Sequence, residues 1–104
     1  MTDEPAAESG LDPEALTAAL DRFGGSEPER RTVARQASDL ADTGRYPRDT
    51  GRELTVDLIV AELADAPDGT PADRWNWWMG VLAVAYGGYE RFAVRRYPGA
   101  EDDG

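Results

Sequence analysis

The side chains that most often carry covalent or acid–base chemistry are nearly all missing from this sequence. It has no histidine, no cysteine and no lysine. Its serines are Ser9, Ser26 and Ser38, and a serine attacks at neutral pH only when a base sits beside it. A carboxylate pair can do acid–base work without those partners. With 21 acids in 104 residues, however, some pair falls close by chance. Solvated surface acids account for them better. Asp65-Ala66-Pro67-Asp68-Gly69 has the acid-and-glycine character of a calcium loop, but neither the alternating aspartates nor the distal glutamate of an EF-hand. A turn between two helices explains the same residues. Gly24-Gly25 and Gly87-Gly88 do not form a phosphate-binding glycine pattern. The expectation is a protein that is not an enzyme, with no cofactor and no metal.

Two groups of residues could instead make contacts. The first is Arg30, Arg31, Arg35, Arg45, Arg48 and Arg52, set against Asp39, Asp42 and Asp49 within residues 30–52. Two helices flank the intervening loop, which invites comparison with a helix-turn-helix. That motif wants a turn of about three or four residues, whereas this connection is much longer. The whole chain also carries a net charge of −10, which opposes phosphate approach. Nucleic acid is therefore the alternative reading, and pairing of these arginines with nearby acids the simpler one.

The second group is Arg74-Trp75-Asn76-Trp77-Trp78-Met79. At helical spacing Trp75, Trp78 and Leu82 share one face, continued by Tyr86 and Tyr89. Trp77, Val81 and Val84 share another, which turns polar at Arg91 and Arg95. The longer stripe is assigned to the core. The flank formed by Trp77, Val81, Val84, Arg91 and Arg95 is the candidate interface, because tryptophan, tyrosine and arginine are enriched where proteins meet.

The elements that must position these residues read as helices throughout. Asp12-Pro13 opens the first, with Leu16, Leu20 and Phe23 as its stripe and Gly24-Gly25 as its stop. Ser26-Glu27-Pro28-Glu29 has the form of a capping box for the second. That helix carries Val33, Ala37, Leu40 and Ala41, a thin stripe that predicts a peripheral place, and it stops at Gly44. Gly44 to Gly51 reads as a loop. Thr55 is the favoured cap of a third helix, with Leu54 and Ile59 as a hydrophobic staple. Thr70-Pro71-Ala72-Asp73 opens a fourth that runs to about Tyr97 and is apolar nearly all round from Trp75 to Tyr86. The expected fold is all-α: about four helices, with a long aromatic-rich C-terminal helix packed centrally against three shorter ones. Residues 11–98 form one helical domain between disordered acidic tails, 1–10 and 99–104.

Charge bears on the solvent. Acids outnumber bases 21 to 11, and every base is arginine. An acid excess without lysine suits a cytoplasm at molar salt, where net charge keeps proteins dissolved and salt screens their self-repulsion. Most of the excess lies in residues 1–21 and 101–103, so the middle of the chain is nearly neutral. The acidic N-terminus has no apolar run and does not read as a secretory signal. The longest apolar stretch, Trp75 to Tyr89, falls short of the roughly 20 residues a membrane span needs. The sequence thus points to a cytoplasmic, salt-adapted interaction module or small subunit. Its expected partner is another protein or a second copy, with no membrane involved.

Overall fold

The computed structural model describes residues 11–94, and in that range the chain folds as five α-helices with no strand. Helix α1 is Pro13–Ala19, α2 Glu27–Thr43, α3 Arg45–Thr50, α4 Val56–Ala64 and α5 Pro71–Tyr86; 3-10 turns follow α1 at Leu20–Phe23 and α5 at Tyr89–Phe92. The tails assigned to 1–10 and 99–104 lie outside the described residues, as does the end of the 11–98 domain.

Side chains start four of these helices. Asp12, Ser26, Thr55 and Thr70 each accept a hydrogen bond from a backbone N–H in the first turn that has no partner within the helix. At α5 the box is reciprocal, with Asp73 accepting from the Thr70 N–H at 3.2 Å. At α2 it is not, and Glu29 instead reaches α5. Its carboxylate is buried and accepts from the Ala72 N–H at 2.9 Å. One acid therefore ties the starts of two helices through residues 43 positions apart, and places negative charge at the positive end of α5.

Helix α3 replaces the expected loop. Gly44 takes the left-handed conformation that ends α2 and starts α3 in one residue. Pro47 falls in the first turn of α3, where its missing N–H costs nothing. The turn buries Tyr46 against Trp78, ring centroids 5.6 Å apart and edge-on.

The core gathers Leu16 and Leu20 from the N-terminal end, Val33, Ala37 and Leu40 from α2, and Ile59 and Leu63 from α4. Trp75, Trp78, Met79 and Leu82 of α5 join them, as do Tyr46, Leu54 and, from the returning chain, Tyr89, Phe92 and Val94. Helix α5 packs on α2, on α4 and on the turn that follows it. Helix α2 is less peripheral than its thin stripe predicts. It touches α1, α3, α5 and the last turn, because buried Ala34 and Ala37 let neighbours come close. No helix among the described residues is long and apolar enough to cross a membrane.

Helix α5 ends at Tyr86, well short of Tyr97. Gly87 and Gly88 both have positive φ, +80° and +83°, which non-glycine residues adopt only with strain. The chain doubles back there and lays residues 89–94 along α5.

Candidate functional site

Four consecutive residues of an α-helix point in four directions, each about 100° from the last. Trp75-Asn76-Trp77-Trp78 spends those directions on three different tasks. Trp75 and Trp78 face inward. They are buried, with rings edge-on at 5.6 Å, and the Trp75 indole N–H donates to the Phe92 carbonyl at 2.8 Å. Asn76 points sideways to the returning chain. Its amide N–H donates to the Val94 carbonyl at 2.8 Å, and its amide oxygen accepts the Val94 N–H at 2.7 Å. Trp77 points outward.

The outward direction continues along α5. Trp77 is 38% exposed, Val81 46% and Val84 91%. Gly80 and Ala85 lie on the same side and are exposed too. From Trp75 to Tyr89 the sequence has no charged residue, so the stripe is apolar and uncharged from end to end.

Of the five residues assigned to the interface, the structure brings Trp77, Val81 and Val84 together. Arg91 is not part of that row. Because α5 stops at Tyr86, Arg91 lies in the Tyr89–Phe92 turn, with its guanidinium over the Phe92 ring at 5.8 Å. Arg95 lies outside the described residues. The inward stripe also needs one correction. Trp75, Trp78, Leu82 and Tyr89 are buried, but Tyr86 is 45% exposed. It occupies the last turn of the helix, beyond the core, and leans on Tyr89 at 6.1 Å between ring centroids.

A family model described as the WNWW domain matches residues 1–83. The chain belongs to the WNWW domain family. The name spells the four residues at 75–78, and the matched range takes in α1 to α4 and α5 as far as Ala83. The returning segment that Trp75 and Asn76 hold falls beyond that range. No curated protein and no solved structure matches the chain.

The arginines of residues 30–52 are mostly engaged. Arg30 donates to the Gly24 and Gly25 carbonyls and lies 3.7 Å from Asp21. Arg31 pairs with Glu27 at 3.1 Å and Arg52 with Glu62 at 3.6 Å. Arg48 is 4.0 Å from Asp49. Arg45 is the most embedded. It bonds Asp49 at 3.4 Å, donates to the Gly87 carbonyl and lies over the Tyr89 ring at 4.8 Å. Arg35 lines an open groove between α1 and α2 that also holds Glu14, Asp21, Glu27 and Asp39. Arg30 and Arg31 line the same groove as Arg35, and each of the six has an acid beside it or in that groove.

The acid-and-glycine loop after α4 is filled by a cation of the chain's own. Arg74 donates to the carbonyls of Leu63, Ala66 and Gly69 at 3.1, 3.4 and 2.8 Å, and lies over the Phe23 ring at 4.7 Å. Among the described residues no group of three or more acids, histidines or cysteines could hold a metal ion. Tyr89 donates its hydroxyl to Asp49 at 2.8 Å. Burial above all, then that bond, pushes its hydroxyl far above the ordinary tyrosine value. Burial also raises Tyr46. Neither phenol is a base at neutral pH.

Glu29 and Asn76 are the working residues that sequence spacing did not reveal. Glu29 fits a local capping box equally well, and nothing in the order of residues says that Val94 returns to Asn76. The one available signal was Gly87-Gly88, a break in an otherwise helical run.

Proposed function

We propose that this chain is a non-enzymatic protein–protein interaction module that makes contact through the outward face of α5. The observation that carries the reading is the row Trp77, Val81 and Val84. It is apolar, uncharged and exposed on a helix whose opposite face is the core. Monomeric proteins rarely leave a contiguous apolar row in water without a use for it. On a chain of net charge −10, such a row suits a partner that also presents an uncharged apolar face, since no charge on either side is then stripped of water. A second copy meets that condition. The dispersal of the six arginines among acids supports this reading over nucleic-acid binding.

The setting that goes with it is the cytoplasm of a salt-adapted cell, supported by the acid excess, the absence of lysine and the absence of cysteine. Molar salt shortens the Debye length to about 3 Å. It screens repulsion between acidic molecules and strengthens apolar contact. The melting temperature should therefore rise as KCl goes from near zero to molar; a flat or falling series removes the salt-adapted setting.

The contact itself is tested with Val84→Asp, a change at an exposed position that leaves packing alone. Wild type and variant are compared in molar KCl by sedimentation velocity and by capture from native lysate. The expected result is self-association or a retained protein for wild type, lost in the variant. A wild type that is monomeric and retains nothing, or a variant that retains the same protein, overturns the proposal.

A further inference from the structure

We infer that Trp75 and Asn76 form a slot for peptide main chain, filled within one chain by its own residues 89–94, and that the same segment of a second copy can fill it in exchange. The inference uses the sideways and inward directions of the motif. It does not depend on the outward face.

The slot reads main chain. The Trp75 indole takes the carbonyl of Phe92, and the Asn76 amide takes both the N–H and the carbonyl of Val94. Bonds to main-chain groups, with pockets for alternate side chains adding selectivity, are how proteins hold peptides of varied sequence. Here the alternate side chains Phe92 and Val94 are buried while Ala93 between them is half-buried, with an extended backbone at φ −67°, ψ 147°. The occupant is therefore the exit of the 3-10 turn: Phe92 at its end, the extended Ala93, then Val94.

Two observations point to a second copy as the alternative source. First, the occupant is joined to α5 by Gly87-Gly88 alone, two residues without side chains to resist rotation. Second, exchange between identical chains keeps every contact of the slot and changes only that hinge, which is the usual route to domain-swapped dimers. The family match ends at Ala83, so it covers the slot and not its occupant. In one chain the short tether acts as an effective concentration of about millimolar. Exchange is accordingly expected as protein concentration nears that range.

Complementation tests this with full-length chains. Asn76→Ala spoils the slot and leaves the segment intact. Val94→Pro spoils the segment by removing the N–H that Asn76 accepts, and Ala93 already has the backbone that precedes a proline. Both chains also carry Val84→Asp, so that association through the outward face plays no part. Alone, the Asn76→Ala chain should show an unprotected Val94 N–H in hydrogen exchange. Mixed with the Val94→Pro chain, it should gain a heterodimer in sedimentation velocity and at least a tenfold slowing of Val94 exchange, because the intact slot of one chain receives the intact segment of the other. A mixture that behaves as the sum of its parts overturns the inference. If either variant fails to fold, wild type decides. A millimolar mixture of isotope-labelled and unlabelled chains should show Trp75–Phe92 nuclear Overhauser contacts between chains, and contacts found solely within chains overturn it.

Discussion

Trp78 and Trp77 are neighbours in sequence, identical in type and on the same helix, yet they sit in opposite surroundings. Trp78 is enclosed by Trp75 and Tyr46 and loses almost all contact with water. Trp77 begins a row that stays in water through Val84. The difference is one step of helix rotation. A run of tryptophans is therefore not one feature: its inward members hold the fold, and the outward member is available for contact.

The largest test of this contrast is Trp78→Ala. Removing a buried aromatic of this size should cost about 3–5 kcal/mol, a large share of a small domain's stability, and chemical denaturation would show it. A cost below about 1 kcal/mol would mean that Trp78 is no more committed to the core than Trp77 is.

Glu29→Ala sharpens the inward side by asking what else fixes α5. It leaves the Ala72 N–H buried without its acceptor, a loss of about 1–3 kcal/mol. Glu29→Gln keeps an acceptor oxygen and should recover part of that. If both variants melt with wild type, the link between the starts of α2 and α5 is dispensable.

A smaller effect concerns the return of the chain after α5. The folded state raises the Tyr89 and Tyr46 hydroxyls above their ordinary value of about 10. The folded chain therefore binds these protons more tightly than the unfolded chain does. Stability from this source is fully present below pH ~10 and falls as pH rises above it. Melting curves from pH 9 to 11 should decline, and Tyr89→Phe should flatten the decline. An unchanged slope in Tyr89→Phe would place the alkaline sensitivity elsewhere.

Much of this architecture was legible in the residues. Asp12, Ser26, Thr55 and Thr70 cap helices as their types and positions indicate, because capping is decided within a few residues. The all-α fold with an aromatic helix follows from periodicity in the same local way, and so does the division of Trp77, Val81 and Val84 from Trp75 and Trp78. What was not legible depends on distant partners. Arg45-Tyr46-Pro47 reads as loop until Tyr46 finds Trp78. Residues 89–94 read as more helix until the two glycines turn them back onto Trp75 and Asn76. Arg91 was placed on the outward face by a helical rotation that stops at Tyr86.

The most direct measurement is the same pair of experiments on Trp77→Ala and Trp78→Ala: thermal melting, then sedimentation velocity in molar KCl with wild type alongside. The expected result is that Trp77→Ala melts within a few degrees of wild type, a shift small against about 4–8 °C per kcal/mol for domains of this size. It should still lose self-association or partner binding, while Trp78→Ala fails to fold or melts far lower. If wild type is monomeric and binds nothing, and Trp77→Ala unfolds as badly as Trp78→Ala, α5 is core on every side and the contact surface does not exist.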